Sequence, residues 1–514
     1  MNRNFKQIFW FVLIAVIAIL SRIAYDVVLN TIEIDKSFWQ FMFDILDFVL
    51  GILAVIIWIN IVIKSEYKAS KLPWLLFLIL EPISGTIMFL SFGRDFRKSN
   101  RFNRRPLMES AQTLTHEPTP DFNDDVLGPI DSEITDIYTV GYNMTQHNVY
   151  ANNTKVVPLD DGKEYFRKLL DALDEAKDFI LFETYIIRTD DIGNQVLNKL
   201  IEKSINGVEV KLIYDAVGSI FLNRKKLKEC KEAGIEIHEF DPILTGFFDT
   251  RITYRNHRKI IIIDGKKGFI GGMNIADEYA NMKEGYPPFR DTQMLVEGGV
   301  IQSMTAVFFK DYYYITNHLI KDSKYYPTYA VEQKGLVQCI PSGPDYQYPP
   351  IRNTYVKMFN NAKKSIKIIT PYLALDAELV TSLLIAVRSG VKVDIIVPGK
   401  PDKKLIYLVT QSFFDELLNE GVNIYTYDNT FTHAKVVIID DRLASCGSYN
   451  LDNRSANINF EAVLLLYKTG VKELVEQFNN DLTHCTQINP DLWIRKGFFK
   501  RIILGIVNIA APLV

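Results

Sequence analysis

Cysteine is scarce in this sequence, with four residues among 514. They stand far apart and form no C-x-x-C pair: Cys230, Cys339, Cys446 and Cys485. This spacing excludes a zinc ribbon and a disulfide framework of the kind that staples small secreted domains. We therefore expect reduced thiols in a body that faces the cytoplasm.

An excess of one charge is lacking as well. The 58 Lys and Arg residues nearly balance the 61 Asp and Glu residues, for a net charge of −3, so bulk electrostatics give no indication of nucleic-acid binding. Hydrophobic residues make up 48% and charged residues 23%, which excludes a fibrous, collagen-like or wholly disordered chain. At about 150 residues per domain, the length corresponds to about three units.

Long apolar runs stand near the N-terminus, at residues 8–20, 48–63 and 72–93. The first run alone is compatible with a cleavable signal peptide, but no small-x-small cleavage site follows Leu20 and further apolar runs come after it. We therefore predict an integral membrane protein in which residues 1–93 form a helical membrane region. The second run reaches the roughly 20 residues of a spanning helix only if it extends back past Asp44 and Asp47.

Basic residues flank both ends of the third run, so the positive-inside rule places both ends in the cytoplasm. Glu81-Pro82 and Gly85 interrupt the middle of this run and would break a helix. The sequence thus favours two spans and a re-entrant hairpin, in a multi-pass protein with its main body on the cytoplasmic side. An ordinary kinked third span is the alternative.

The remaining chain divides by composition. Residues 94–130 are polar and basic at their start, and we interpret them as a linker suited to anionic headgroups, or simply a solvated charge run. Two domains are predicted at 131–330 and 331–490. Residues 491–514 alternate apolar and basic side chains, which is typical of an amphipathic helix lying on a membrane or docking on the body.

An internal repeat relates the two predicted domains. Residues 207–215 (GVEVKLIYD) match residues 390–398 (GVKVDIIVP), and similar pairs occur upstream and downstream of them. Each copy alternates helix-like stretches with short apolar runs, which predicts two tandem α/β domains with largely parallel sheets.

The most specific pattern is H-x-K-x-x-x-x-D, which occurs once in each copy. It stands at His257, Lys259 and Asp264, and again at His433, Lys435 and Asp440. In both copies an Asn follows the His by 17 positions, at Asn274 and Asn450. Two ordinary core histidines are the alternative, but a doubled match in one register is rare by chance.

Strand geometry gives these residues expected roles. His and Lys two positions apart point to the same face of a strand. Asp264 and Asp440 end the buried run that follows, and although they belong to the catalytic motif we expect them to cap backbone N–H groups of the next turn. Gly before each Asn lets the backbone approach an anion, to which the Asn amide can donate.

Two His, two Lys and two Asn suit phosphodiester exchange. One imidazole attacks phosphorus while the other protonates the leaving alkoxide and then deprotonates the acceptor, and the lysines and asparagines bind the non-bridging oxygens. Each imidazole needs an orienting carboxylate. Asp291 and Glu461, 34 and 28 residues beyond the histidines, are the candidates, with solvated surface acids as the alternative. We expect neither a metal nor a cofactor.

The doubled motif resembles the phospholipase D superfamily, and the fuller strings resemble bacterial cardiolipin synthases nearly from end to end. The resemblance is carried by residues 255–259 (RNHRK), 271–279 (GGMNIADEY), 342–345 (SGPD) and 447–455 (GSYNLDNRS). That family usually has two N-terminal hydrophobic segments, whereas three occur here.

The resemblance implies a bacterial membrane enzyme that transfers a phosphatidyl group from one phosphatidylglycerol to another, through a phosphatidyl-histidine. It also implies one active site between the two halves and favours His257 for attack, with His433 as acid and base. A hydrolytic phospholipase D, another phosphatidyltransferase, a nuclease of the superfamily and a non-enzymatic scaffold are the alternatives. A scaffold would have lost at least one of the six site residues. The residues do not indicate an oligomeric state.

Overall fold

The structure is a computed structural model that describes residues 36–63, 74–79, 81–92, 131–242, 254–494 and 497–509. The chain forms two compact units, one of residues 1–100 with 244–250 and one of residues 101–243 with 251–514. The predicted apolar run at 8–20 and the predicted linker at 94–130 lie outside the described residues.

The first unit contains three described helices: α1 (Lys36–Ile63), α2 (residues 74–79) and α3 (Pro82–Phe92). Pro82 is the first residue of α3, a position where its missing N–H costs nothing. The rings of Trp74 and Phe89 meet edge to face with centroids 5.3 Å apart, so α2 and α3 fold back on one another. The chain therefore reverses at Glu81-Pro82, the position of the predicted hairpin.

Within the described ranges, none of the helices combines the length and the apolarity needed to cross a bilayer. The predicted multi-pass arrangement is not confirmed by these helices.

The second unit contains the following strands, in chain order: β1 (Val149–Ala151), β2 (Thr154–Leu159), β3 (Phe179–Thr184), β4 (Glu209–Asp215), β5 (Glu236–Phe240), β6 (Ile260–Ile263), β7 (Lys267–Gly271), β8 (Phe289–Arg290), β9 (Gln293–Gly298), β10 (Leu336–Ser342), β11 (Ser365–Ile369), β12 (Leu373–Ala374), β13 (Lys392–Pro398), β14 (Asn423–Tyr427), β15 (Phe431–Thr432), β16 (Val436–Ile439), β17 (Leu443–Gly447), β18 (Leu451–Asp452), β19 (Glu461–Tyr467) and β20 (Cys485–Gln487).

Its helices are α4 (Ser132–Thr145), α5 (Gly162–Glu175), α6 (Asp191–Ile205), α7 (Arg224–Glu232), α8 (Ile301–Thr316), α9 (Pro350–Asn361), α10 (Ala377–Arg388), α11 (Lys404–Ser412), α12 (Phe414–Asn419), α13 (Asn453–Asn457), α14 (Val471–Thr483), α15 (Pro490–Ile494) and α16 (Phe498–Ile509), with a 3-10 turn at Ser323–Tyr325.

Two large mixed sheets organise this unit. The first has the order β2-β9-β7-β6-β3-β4-β5, and the second has the order β1-β10-β19-β17-β16-β11-β13-β14-β20. The β3-β4-β5 and β11-β13-β14 neighbours are parallel, whereas the other neighbours in both sheets are antiparallel. The α/β class and the repeat are confirmed, but the expectation of largely parallel sheets was wrong.

Tight turns after β6 and β16, the strands that follow the two H-x-K motifs, explain this difference. Asp264 and Gly265 both have positive φ, at 50° and 64°, and Asp440 and Asp441 both have φ of 54°. Two successive left-handed residues form the turn that best joins antiparallel strands. The chain therefore returns beside itself, from β6 to β7 and from β16 to β17, instead of crossing over.

Side-chain alternation in the central strands builds the core. Ile260 and Ile262 of β6 pack in a cluster shared with the second sheet, whereas Ile261 and Ile263 pack on the helices of the first half. Val436 and Ile438 of β16 join the same shared cluster. A strand that is covered on both faces has an unbroken run of β-branched residues. The shared cluster shows that the two sheets pack face to face, with helices outside them.

The motif aspartates hold neighbouring strands in place. The Asp264 carboxylate accepts hydrogen bonds of 2.9 Å from the backbone N–H groups of residues 177–179, which lead into β3. Asp440 accepts equivalent bonds from residues 363–365, which lead into β11. We expected N–H groups of the next turn, but the partners come from the adjacent strand.

The C-terminal helix α16 docks on the body and also leaves apolar side chains exposed. Leu504 is buried and the Asn508 amide donates to Ser412 in α11. Phe498 and Phe499, however, are exposed. The predicted amphipathic character is present, with one side of the helix on the protein.

Replacing Asp264 by Asn is expected to lower the free energy of unfolding by about 2 kcal/mol, since charge-assisted bonds to three N–H donors are lost while Asn still tolerates the turn. Chemical denaturation of the full chain measures this. Asp178→Asn removes the same charge from an exposed side chain nearby and serves as the control. Equal stability of the two variants would contradict the assignment.

Candidate active site

The two histidines lie where the halves of the second unit meet. The backbone N–H of His257 donates to the carbonyl of Phe460 at 2.9 Å, and that of His433 donates to the carbonyl of Arg290 at 2.6 Å. β15, which ends just before His433, pairs in parallel with β8 from the first half. Each histidine is therefore held by backbone from the opposite half.

The same crossing brings a carboxylate to each imidazole. Nδ1 of His257 lies 3.0 Å from Glu461, and Nδ1 of His433 lies 2.6 Å from Asp291. The sequence suggested both carboxylates by their distance beyond a histidine of their own half. In the structure each one contacts the histidine of the other half.

Electrostatics keeps these pairs as neutral imidazole and ionised carboxylate. Burial lowers the pKa of His257 to about 4 and that of His433 to about 3, although the carboxylates oppose the shift. Burial alone would raise the pKa of Asp291 and of Glu461, but the interactions with the adjacent histidine and lysine outweigh it and lower both. With Nδ1 bonded to a carboxylate, Nε2 of each ring keeps its lone pair.

Both motif lysines point toward the histidines. Nζ of Lys259 donates to the His257 carbonyl at 2.6 Å, and Nζ of Lys435 donates to the His433 carbonyl. Burial lowers the pKa of Lys259 to about 7 and that of Lys435 to about 8. Each lysine also depresses the pKa of both histidines, so the four side chains share one electrostatic site.

The two asparagines differ. Asn274 is committed within the protein, since its Oδ1 accepts from the Ile186 N–H at 3.0 Å and its Nδ2 donates to the Tyr279 hydroxyl at 2.6 Å. Asn450 is buried, and its Oδ1 has no hydrogen-bond partner in the described part of the chain. Both polar atoms of Asn274 are therefore bonded within the protein, whereas Asn450 keeps an unpaired acceptor atom.

Residues beside the asparagines support the carboxylates unequally. A Cβ at Gly272 would lie 2.2 Å from Oδ1 of Asp291, so glycine is required for Asp291 to approach. At the matching position in the second copy, the Ser448 hydroxyl donates to Glu461. The backbone N–H of Thr292 donates to Asp291 at 2.7 Å.

Sequence reasoning missed a buried network under the first histidine. Arg258, the x of the first H-x-K, pairs with Asp311 and donates to the carbonyls of Glu461 and Ser342 at 3.0 and 3.1 Å. The second motif has the small Ala434 at this position. The only sequence signal was an Arg at a position where the other copy has Ala.

Aromatic side chains surround both imidazoles. The Tyr185 ring lies 4.9 Å from that of His257, and the Tyr279 ring lies 5.5 Å from that of His433. Tyr372, the repeat partner of Tyr185, donates its hydroxyl to Asp402 instead. Across the described ranges, no three His, Cys, Asp or Glu side chains are grouped so as to hold a metal ion.

This geometry agrees with comparisons to known proteins. The family model described as "Cardiolipin synthase, PLD-like domain" matches residues 169–284 and 355–485. Cardiolipin synthase of Alkalihalophilus pseudofirmus is 36% identical over 93% of this chain and 96% of its own length. Major cardiolipin synthase ClsA of Bacillus subtilis is 34% identical over 91% of this chain and 98% of its own.

A solved structure shares the fold. Phosphatidylserine synthase of Haemophilus influenzae superposes with a TM-score of 0.55 at 16% identity, covering 74% of this chain and 98% of that one. This superposition shows the shared fold, and the sequence relatives match this chain over nearly its full length. The chain belongs to the cardiolipin synthases, the phosphatidyltransferases of the phospholipase D superfamily.

Proposed function

We propose that this chain condenses two molecules of phosphatidylglycerol to cardiolipin and glycerol, through a phosphatidyl group carried on His257. The observation that carries the proposal is the pair of buried imidazoles, each with a carboxylate on Nδ1 and a lysine beside it. Two imidazoles with free Nε2 atoms suit a displacement in which one attacks and the other handles the proton.

In the first step, Nε2 of His257 attacks phosphorus of the donor lipid. The bond to the glycerol oxygen breaks, and His433 gives that oxygen a proton, so glycerol leaves neutral. Glu461 stabilises the His257 ring as it becomes positive. Lys259 and Lys435 bind the non-bridging oxygens as charge develops.

In the second step, His433 takes the proton from the terminal hydroxyl of the second phosphatidylglycerol. The resulting alkoxide oxygen attacks phosphorus, the bond to Nε2 of His257 breaks, and cardiolipin forms. His433 is again protonated and ready for the next donor. Protons and bonds balance over the two steps, and no further reactant is consumed.

His433 takes up its proton when the substrate binds. Burial and Lys435 hold the pKa of His433 at about 3 in the free site. An anionic phosphodiester between the lysines offsets their charge, which raises the pKa of His433. We infer that His257 attacks as the neutral base because Glu461 holds it in the required tautomer.

The setting we propose is the cytoplasmic face of a bacterial membrane, with anionic lipids as substrates and surroundings. The exposed apolar residues of α1 and of α16 support an association with lipid. We also propose that part of the chain spans the bilayer.

Purified full-length protein in phosphatidylglycerol micelles is expected to form cardiolipin and glycerol in equal amounts by mass spectrometry. His257→Ala and His433→Ala should lower the rate by at least about 10³-fold, because each removes a group that no neighbour replaces. The exposed His318 provides a control, His318→Ala. Phosphatidic acid as the main product with abundant lipid acceptor would indicate a hydrolase instead.

A donor lipid whose leaving group needs no proton distinguishes the two histidines. Phosphatidyl-p-nitrophenol is such a donor, because it releases nitrophenolate. With this donor His433→Ala should release one equivalent of nitrophenolate per site and retain the lipid on His257, since the acceptor is no longer deprotonated. His257→Ala should release none. Absorbance and peptide mass spectrometry measure both quantities, and the reverse pattern would assign the attack to His433.

Activity is expected to fall as the buried lysines lose their charge. The pKa of Lys259 is lowered to about 7 and that of Lys435 to about 8, so both are increasingly neutral above pH 8 and bind phosphate less well. From pH 7 to pH 9, kcat/KM should fall by more than about tenfold. Melting curves over the same range control for unfolding, and a flat profile would contradict the prediction.

A further inference from the structure

Two surface loops beside the site carry exposed apolar side chains. Ile220 and Phe221, in the loop at 216–223 after β4, are 52% and 76% exposed. Met282 and Tyr286, in the loop at 280–288, are 43% and 51% exposed. We call these two segments the rim loops. Exposed apolar side chains in neighbouring groups mark an interaction surface.

The first rim loop is tied directly to the surroundings of His257. The Ser219 hydroxyl donates to the carbonyl of Tyr185 and accepts from the Ile187 N–H. A Cβ at Gly218 would lie 2.1 Å from that same carbonyl. The Tyr185 ring contacts His257, so Ile220 follows immediately after a residue bound to the wall of the site.

The second rim loop is tied to the surroundings of His433 in the same way. It starts after Tyr279, whose ring contacts that of His433. The Asn281 side chain closes it by bonding both the N–H and the carbonyl of Phe289 at 2.7 and 3.0 Å. Phe289 also lies beside His433. The exposed Met282 and Tyr286 therefore project from a closed loop whose two ends touch the site.

Basic residues stand in or next to both rim loops, although the loops themselves carry no net charge. Arg224 and Lys225 are exposed at the end of the first loop, and neither forms an ion pair with a described acidic side chain. In the second loop Lys283 lies over the Tyr286 ring at 3.9 Å and 3.6 Å from the Glu278 carboxylate, with Glu284 as a further acidic neighbour. Apolar tips next to cations fit the boundary between headgroups and acyl chains of an anionic bilayer.

We propose that the rim loops insert into an anionic phospholipid bilayer and set the mouth of the site at the level of the lipid phosphates. This rests on the proposed function, because only a lipid substrate needs the site at that depth. Ile220 and Phe221 enter the acyl boundary beside His257, and Met282 and Tyr286 enter it beside His433. A donor phosphodiester then reaches the histidines without leaving the membrane.

Insertion is tested by a depth measurement that is independent of catalysis. Ile220→Cys, labelled with the fluorophore NBD, is placed in full-length protein in vesicles of phosphatidylglycerol and phosphatidylcholine. Its emission should shift to the blue and be quenched by doxyl-labelled lipid. Ile205→Cys starts from similar exposure on α6 and should show neither change, while the unsubstituted chain gives the background from Cys485. Equal behaviour at positions 220 and 205 would overturn the proposal.

Activity provides the second test. Ile220→Ser combined with Phe221→Ser should raise KM for bilayer phosphatidylglycerol by at least about fivefold, while kcat/KM for monomeric dihexanoyl phosphatidylglycerol stays within about twofold. Ile385→Ser, an exposed apolar residue on α10, should change neither value. Equal losses on both substrates would show damage to the site and overturn the proposal. If the wild-type chain were inactive on both, the proposed function would fail while the depth measurement still decided insertion.

Discussion

Each histidine of the site is hydrogen-bonded to a carboxylate from the other half of the chain, and the packing of the two halves brings these pairs together. Glu461 reaches His257 and Asp291 reaches His433 only because the two sheets pack face to face through a shared apolar cluster. Short parallel pairings fix the register, between β8 and β15 and between Asn256 and Phe460. Neither half could hold a correctly oriented imidazole alone, so the apolar interface determines the geometry of the site.

The two histidine–carboxylate pairs are alike in geometry, but different residues hold the two carboxylates in place. Arg258 joins the Glu461 backbone to Asp311 on α8 and to the carbonyl of Ser342. The second motif has Ala434 at this position, and Asp291 is held instead by the adjacent Arg290, which donates to the Asp291 carbonyl at 2.9 Å. A buried charge pair held by several hydrogen bonds is costly to disturb once formed. Glu461 is thus anchored through its backbone by an arginine of the other half. Asp291 depends on the close approach that Gly272 permits and on the Arg290 side chain, which pairs with Asp481.

Local patterns in the sequence were sufficient for the parts of the site that lie within one strand. In both copies the Lys side chain bonds the carbonyl of the His two positions before it. The four-residue β-branched runs that follow are buried strands, as their composition predicts. The direction of the following strand was misjudged although Asp264-Gly265 is a hairpin signal. Contacts between distant segments were not accessible. Asp291 and His433 are 142 positions apart, and no spacing rule connects them. Arg258 and Asp311 were missed for the same reason.

Charge balance explains how such a site can be buried and still take up an anion. With both imidazoles neutral and both lysines protonated, Lys259 and Lys435 carry two positive charges against the two negative charges of Asp291 and Glu461. Charges taken out of water need nearby opposite charge, and this balance supplies it. A phosphodiester adds one negative charge, and uptake of one proton by an imidazole restores the balance. In the proposed reaction, binding therefore favours the protonation that the leaving alkoxide needs. The same requirement disfavours a second proton, so one histidine stays a base while the other becomes an acid.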